Sequence, residues 1–483
     1  MEVLVIGAGI GGLGTALALA QQGHHVTVVE RDATTVPDSP DAAFEQWARR
    51  GAPQVRHSHA FLARLRNLLR DRAPEVLAAL VDAGATELRY LDHPPPTLAD
   101  RQPRPGDEDL VALACRRTTF EWVLRRTVLD AHDVRLVEGA VSGLVAHGAR
   151  SVPQVTGVRL ASGAELPADI VVDASGVRSP LPSWLGDVGV AALPEREDDT
   201  GIVYSSRFYR LLPGVDQPSD DGLLIGDLGY LKYAVFVGDN RTFSITFAVP
   251  SEDRDLRQLL RPAPFSATAA ALPATSPWTE PGVAEPITGV EVMARLVNRR
   301  RRFVVGDRPL VSGLFAVGDS HICTNPLYGR GCPLAMVQAY LLADTLAADG
   351  VEPHAAALAF HAAIEREVAP WYRATVVRDR LERRAPRSPA PDEDDPAPPM
   401  DDDSMRSLLR DGILPAAGTD PVVYRAFLRA FNLLDPPDVL TRDPEVVARV
   451  LTVWQDRDSR PPPEPLGPGR DELLRRLAEG AAA

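Results

Sequence analysis

The first thirty residues carry the pattern that most restricts the fold. Val3 to Ile6 is a short apolar run that suits a buried parallel strand, Ile10 to Gln22 has the length and alanine content of a helix, and His25 to Val29 resembles a second strand. A strand, a helix and a second strand in this order predict a β-α-β unit. The alternative is a signal peptide, but the stretch opens with Glu2 instead of a cationic segment.

A glycine pattern, GxGxxG, joins the first strand to the helix. Gly7 would permit the tight turn, Gly9 would let a pyrophosphate approach the helix N-terminus, and Gly12 would let helix and strand pack closely. Glu30, after the second strand, can accept hydrogen bonds from ribose hydroxyls. The pattern predicts dinucleotide binding; the alternative is a glycine-rich turn that serves only packing.

Composition excludes several other classes of protein. The 483 residues are 45% hydrophobic and 24% charged, as in globular proteins of two to four domains, and the net charge of −14 disfavours nucleic acid and anionic membranes. Three cysteines, Cys115, Cys323 and Cys332, predict no disulfide framework and a cytoplasmic location, and we expect no membrane span. Lys232 is the one lysine in the sequence.

Two later segments extend the glycine pattern. A strand at Ala168 to Val172 leads into Asp173-Ala174-Ser175-Gly176, and a strand at Gly313 to Val317 leads into Gly318-Asp319, followed by Pro326, Gly329, Gly331 and a long helical stretch. Together the three segments resemble the FAD-dependent monooxygenases of the p-hydroxybenzoate-hydroxylase superfamily, in particular its epoxidase-like branch.

The resemblance implies an α/β fold with a Rossmann-type (GR2-like) FAD-binding domain, and non-covalent FAD. The acid of the Gly-Asp motif would hold the ribityl chain, and the loop 326–331 would lie beside the isoalloxazine ring. A helix starting near Gly331 would aim its positive end at the flavin N1 and C2 carbonyl, where charge accumulates on reduction. The implied cofactor-binding residues are Gly7, Gly9, Gly12, Glu30, Arg31, Arg56, Arg117, Asp173, Gly318, Asp319, Pro326, Gly329 and Gly331.

Two further segments match the same branch. Pro53 to His59 resembles its PQxRHxH element, and the stretch from Arg117 resembles a helix whose arginine contacts FAD; Arg116 is the rival cation for the pyrophosphate. We expect His57 and His59 to form a polar wall of the flavin pocket or to be plain surface histidines. No cysteine or carboxylate stands nearby at ligand spacing, so no metal site is predicted.

Departures from the family leave the electron donor open. Ser175 stands where the aromatic hydroxylases carry an acid, so the donor could be NAD(P)H or a separate flavin reductase. Pro333 replaces an asparagine after the last loop glycine, and a proline fits the first turn of a helix.

The remaining chain predicts three more regions. Runs rich in Tyr, Phe, Val and Ile at 203–212, 230–236 and 242–249 predict a β-sheet substrate domain over 186–302, with Tyr204, Arg207 and Tyr233 as substrate-pocket candidates. The FAD-binding domain would comprise 1–185 and 303–350. A C-terminal helical region would span 351–483, with a mobile linker, rich in proline and acid, at 385–404.

The resemblance implies a monooxygenase that hydroxylates or epoxidises a small, largely apolar metabolite with O₂, through a flavin C4a-hydroperoxide. No catalytic side chain is predicted, because the flavin carries the chemistry. A flavin-dependent halogenase is an alternative. Halogenases of this kind use an active-site lysine and a Trp-x-Trp-x-Ile motif; neither is visible, and the one lysine, Lys232, lies in the expected substrate sheet. An isoprenoid double-bond reductase is another. A non-catalytic flavin-binding protein is disfavoured, because it would not need the loop 326–331.

Overall fold

The computed structural model describes residues 1–32, 34–131, 133–147, 152–218, 223–347, 352–384, 400–461 and 464–482. The strands in chain order are β1 Glu2–Ile6, β2 His25–Glu30, β3 Thr86–Arg89, β4 Val111–Ala114, β5 Val134–Glu138, β6 Val141–His147, β7 Gln154–Leu160, β8 Glu165–Pro167, β9 Ile170–Asp173, β10 Glu195–Asp199, β11 Ile202–Leu211, β12 Leu223–Asp227, β13 Lys232–Val237, β14 Thr242–Pro250, β15 Ala284–Pro286, β16 Glu291–Met293, β17 Val297–Arg301, β18 Val304–Val305, β19 Arg308–Pro309, β20 Leu314–Ala316 and β21 Ile322–Cys323.

The α-helices follow the same order. They are α1 Ile10–Ala20, α2 Pro40–Gln46, α3 Ala63–Arg72, α4 Pro74–Asp82, α5 Arg117–Ala131, α6 Leu181–Asp187, α7 Pro262–Ala271, α8 Ser276–Thr279, α9 Gly331–Leu346, α10 Pro353–Glu367, α11 Ala369–Arg383, α12 Asp402–Ser407, α13 Leu414–Thr419, α14 Pro421–Phe431, α15 Val439–Arg442, α16 Pro444–Gln455 and α17 Arg470–Ala482. Short 3₁₀ helices occupy Pro53–Arg56, Asp107–Asp109, Leu256–Leu260, Gly318–Ser320, Pro326–Tyr328 and Arg457–Ser459, and Leu408–Ile413 is a π-helix.

A parallel sheet in the order β20-β9-β1-β2-β5 forms the centre of the molecule. Its inner strands are apolar on both faces because helices α1 and α9 cover one face, and α6 with the sheet β6-β7-β8 covers the other. The expected β-α-β unit is confirmed, with the second strand one residue longer than predicted. The carboxyl ends of the five strands meet at one edge, where open α/β sheets bind ligands.

The strands predicted between 203 and 249 are confirmed within an antiparallel sheet of order β12-β13-β14-β11-β15, with β16 also paired to β11. Helices α7, α8 and α17 cover one face and form a second apolar core. A smaller sheet of order β10-β17-β21 connects this region to the parallel sheet. In it, Arg299 of β17 pairs with Cys323 of β21, and β21 follows β20 of the parallel sheet in the chain. The domain limits given above remain a prediction.

The C-terminal helices lie in three places. Helices α10 and α11 pack on the central core, and the chain between them is interrupted at Val368, just before Pro370. Helices α12 to α16 form their own apolar cluster, and α17 covers the antiparallel sheet. Residues 385–399 of the expected linker lie outside the described residues. Its last residues are not linker: Asp401 caps α12 by accepting from the backbone N–H of Ser404 at 2.9 Å.

None of the helices in the described parts of the chain is long and apolar enough to cross a membrane.

Candidate functional site

One cavity of about 2810 Å³ opens at the carboxyl edge of the parallel sheet. Its walls come from the glycine turn after β1, the segment 51–60, the start of α5, the two later motifs, the antiparallel sheet and helices α11, α13 and α14. Ordinary small-molecule pockets enclose roughly 300–1,000 Å³. The cavity therefore has room for a dinucleotide and a second molecule.

Three glycines shape the turn between β1 and α1. Gly7 has φ +100°, and a Cβ there would lie 2.8 Å from the carbonyl oxygen of Ala174. A Cβ on Gly12 would lie 1.8 Å from the Gly7 oxygen, so helix and strand pack too closely for any side chain. Gly9 lines the cavity with no atom within 4 Å of its missing Cβ. Helix α1 starts beside it with no acidic residue in its first turn, so the free N–H groups suit an anion.

Glu30 is held rigidly at the end of β2 and lines the cavity. Its Oε2 accepts from the backbone N–H of Ala8 at 2.8 Å, and its Oε1 accepts from that of Asp32 at 2.9 Å. The carboxylate keeps further lone pairs for ribose hydroxyls. Arg31, exposed, also lines the cavity.

Arg117 lines the cavity, whereas its rival Arg116 does not. Arg117 donates to Glu121 at 2.8 Å and approaches His59 Nε2 at 3.0 Å. Arg116 is buried and bound by Asp239 and Asp41, each at 2.6 Å, so it is unavailable to a pyrophosphate.

Sequence reasoning missed a second buried arginine, Arg49. It lines the cavity, donates to the Ala8 carbonyl at 2.8 Å and to Glu121 at 3.2 Å, and leaves Nη1 without a hydrogen-bond partner. Glu121 thus orients both cations. Its position one helical turn after Arg117 was a readable signal, but nothing in the local sequence marks Arg49.

Asp319 presents an uncommitted carboxylate to the cavity. The 3₁₀ turn from Gly318, which has φ +72°, brings it to the end of β20. Within the described ranges its carboxylate oxygens have no hydrogen-bond donor. Burial raises the pKa of this carboxyl, and the charges of Arg117 and Arg299 act in the opposite direction. The group is therefore an acceptor that a polyhydroxyl chain would satisfy.

The loop 326–331 lies between this motif and α9. Pro326 begins a 3₁₀ turn, Gly329 follows with φ +65°, and a Cβ there would lie 3.4 Å from the Ala60 side chain. Gly331 begins α9, as predicted, and has no atom within 4 Å of its missing Cβ. The first turn of α9 holds no acidic residue, so its positive end faces the cavity uncompensated.

A buried carboxylate on α11 fixes this loop. Asp379 accepts from Asn298 at 2.7 Å, from Asn325 at 2.9 Å and from the Tyr328 hydroxyl at 2.9 Å. Tyr204 donates to Asn325 Oδ1 at 3.2 Å, which ties the antiparallel sheet to the same loop. This network was not predicted, because its hydrogen bonds join residues up to 121 positions apart.

Small hydroxyl side chains and neutral histidines form the polar part of the sheet wall. Ser206 lies 2.8 Å from Thr246 and 3.3 Å from His57 Nδ1, and Ser58 lies 2.7 Å from Thr246. Burial lowers the pKa of His57 to about 4 and, with the Arg117 charge, that of His59 to about 3. Both imidazoles are therefore neutral at pH 7, and both line the cavity.

Three predicted residues do not line the cavity. Arg56 lies over the Phe44 ring at 5.0 Å and donates to a backbone carbonyl. Asp173 is enclosed and accepts from Ser179 at 2.5 Å and from the Ser175 N–H at 3.0 Å, so it shapes the turn without facing a ligand. Arg207 points to the opposite face of β11, where it donates to Ser266 at 2.8 Å.

The antiparallel sheet and the C-terminal helices complete the apolar wall. Tyr233 borders the cavity but belongs mainly to the apolar core on the far face of the sheet. Tyr424, Phe427 and Phe431 of α14 line the cavity and were not predicted, because no local motif links them to it.

The chain is similar to known proteins both in sequence and in fold. Residues 5–68 match a family described as an NAD(P)-binding Rossmann-like domain. The solved structure of PqsL from Pseudomonas aeruginosa, described as a probable FAD-dependent monooxygenase, is similar with a TM-score of 0.54 and 18% identity, over 78% of this chain and 93% of PqsL. The flavin-dependent brominase Bmp2 is similar with a TM-score of 0.51 and 17% identity, over 99% of this chain and 93% of Bmp2.

These likenesses show that the chain has the fold of PqsL and Bmp2. It is also 30% identical to Protein Rv3254 of Mycobacterium tuberculosis (strain ATCC 25618 / H37Rv), over 95% of this chain and 96% of that protein. The two proteins are members of one family.

Proposed function

We propose that this protein is an FAD-dependent monooxygenase that hydroxylates or epoxidises a small, largely apolar molecule. The observation that carries the proposal is that one cavity is lined by three segments distant in sequence: the glycine turn from Gly7, the Gly318-Asp319 motif and the loop 326–331. These are the segments that an extended FAD molecule needs together.

The side chains present fit FAD along its length. Glu30 would hold the adenosine ribose, and the N-terminus of α1 with Arg49 and Arg117 would neutralise the pyrophosphate. The uncommitted carboxylate of Asp319 would accept the ribityl hydroxyls. The start of α9 at Gly331 would lie beside the ring.

Bound FAD would supply the electrons that activate O₂. The chain itself would exclude water with its apolar wall, position the substrate, and keep the loop fixed through Asp379. His57 and His59 would offer hydrogen bonds without charge. A largely apolar substrate suits the wall formed by α14; PqsL, which shares the fold, has been crystallised with 2-aminobenzoylacetate, also a small molecule.

The principal alternative is halogenation, which the fold shared with Bmp2 brings into consideration. A halogenase of this superfamily uses an active-site lysine. Lys232 lines the cavity, but its Nζ is paired with Asp227 at 2.7 Å and Glu382 at 2.9 Å. A lysine held between two carboxylates is poorly placed to carry an electrophilic halogen, so oxygenation is the preferred reaction.

The test is the cofactor content and affinity of the purified protein. Chromatography of the denatured supernatant should show FAD. Glu30→Ala and Asp319→Ala each remove charge-assisted hydrogen bonds of roughly 1.5–3 kcal/mol, so each should raise the FAD dissociation constant about ten-fold or more. Asp307→Ala, which removes an exposed carboxylate away from the cavity, is the matched control. Unchanged affinity in a folded Asp319→Ala protein, or finding only FMN or NAD, contradicts the proposal.

A further inference from the structure

One cation in the cavity wall lacks a counter-charge. Arg330 lies between Gly329 and Gly331 at the start of α9 and lines the cavity. Across the described ranges, no carboxylate oxygen comes within 4 Å of its guanidinium. Other arginines of the wall that are similarly enclosed, Arg49 and Arg117, both pair with Glu121.

The structure holds this guanidinium in a fixed orientation. Its Cζ lies over the rings of Tyr328 and Trp371, 4.9 Å and 5.1 Å from their centroids. Nη1 donates to Thr375 Oγ1 at 2.6 Å and to the Trp371 carbonyl at 3.4 Å. Nε is enclosed without a partner, whereas Nη2 is not enclosed and makes no hydrogen bond to any described residue. Nη1 is thus bound to α11, and Nη2 is the nitrogen left available to a ligand.

The charge persists although its surroundings disfavour it. Burial lowers the pKa of Arg330 to about 10, so the group stays protonated at neutral pH. Asp379 is the carboxylate whose charge acts on it, but Asp379 lies beyond 4 Å and accepts from Asn298, Asn325 and Tyr328. A buried cation without a partner is costly unless a ligand supplies the anion.

We propose that Arg330 binds a planar anionic group of a molecule in the cavity. The N–H groups of Nη2 would donate to an anionic acceptor, such as a carboxylate of the substrate or the N1 and C2-oxygen edge of reduced flavin. The positive end of α9 at the neighbouring residue adds to the attraction. Binding of the reduced flavin edge rests on the flavin site proposed above, whereas binding of a substrate carboxylate does not.

The experiment compares benzoate with benzamide, its uncharged analogue, by calorimetric titration of the purified protein. Arg330→Gln should weaken benzoate binding about ten-fold or more and change benzamide binding little, because one charge-assisted pair is lost. Arg295→Gln is the matched control, since Arg295 is an exposed arginine of the same cavity with no ion pair to a described residue. The midpoint potential of the FAD-loaded protein is measured on the same variants.

The two measurements separate the two sources. Weaker benzoate binding assigns Arg330 to a substrate anion, and it holds even if no variant retains FAD. A lower midpoint potential with unchanged benzoate binding assigns it to the reduced ring. The potential falls by about 30 mV for each ten-fold loss of affinity for reduced relative to oxidised flavin. Where Arg330→Gln does not fold, Arg330→Lys replaces it, because lysine keeps the charge but not the planar guanidinium. A folded variant that matches the unaltered protein in both measurements overturns the proposal.

Discussion

Alanine at Gly12 should damage the fold, whereas alanine at Gly9 should damage only cofactor binding. The new Cβ of Gly12→Ala would lie 1.8 Å from the Gly7 carbonyl oxygen, where real contacts do not fall below 3.0 Å. The atom it meets is backbone, so the start of α1 must move by about 1 Å, and we expect a loss of about 3 kcal/mol or more of unfolding free energy. Gly9→Ala meets no atom within 4 Å and has φ −85°, which alanine adopts readily.

Gly9→Ala should therefore stay within about 1 kcal/mol of the parent in stability. Its methyl group would occupy the space of the pyrophosphate, so FAD should bind about ten-fold more weakly or worse. Gly11→Ala, whose Cβ would lie 3.7 Å from Ala335, is the control for adding a methyl group to the same turn. Stability is measured by urea denaturation and FAD affinity by fluorescence. Equal stability of Gly12→Ala, or unchanged FAD affinity of Gly9→Ala, would refute the assignment of the turn.

Two other results are expected. The pKa of buried His57 is about 4, against 6.5 for an unperturbed histidine, so as the pH falls the unfolded chain is protonated at this residue before the folded one. The contribution of His57 to the unfolding free energy is therefore complete above pH 6.5, and about 3 kcal/mol of it is lost as the pH falls to 4. Denaturation curves of His57→Gln at pH 7 and 4.5 should differ less than those of the parent, and an equal difference would contradict this. In anaerobic stopped-flow experiments, NADPH alone should reduce the flavin slowly, and a separate reductase should reduce it faster. Ser175→Asp should accelerate flavin reduction by NADPH, with Ser175→Ala as control. Fast reduction of the parent by NADPH would contradict the role given to Ser175.

Local backbone constraints explain what the sequence determined by itself. The turn around Gly7 and Gly12, the strands flanking it, and the start of α9 at Gly331 each depend on residues within about ten positions of one another. Glycine tolerance and apolar runs are readable at that range. The resemblance then supplied the order in which Glu30 and Asp319 would meet a cofactor.

One substrate-pocket assignment could have been excluded from the sequence, because side chains alternate between the two faces of a strand. Tyr204 and Arg207 were both assigned to the substrate pocket, yet they are three residues apart in β11. Side chains alternate between faces, so an odd separation places them on opposite sides of the sheet. Only Tyr204 faces the cavity.

Tertiary structure alone decided the charge balance of the site. Arg49 reaches Glu121 across 72 positions, and Asn325 reaches Asp379 across 54. Whether an arginine has a counter-charge depends on such distant partners, so the sequence could not show that Arg330 lacks one. The wall contributed by α14 arises in the same way, because apolar side chains on an amphipathic helix record that a face is buried, while the packing of the whole chain determines what that face covers.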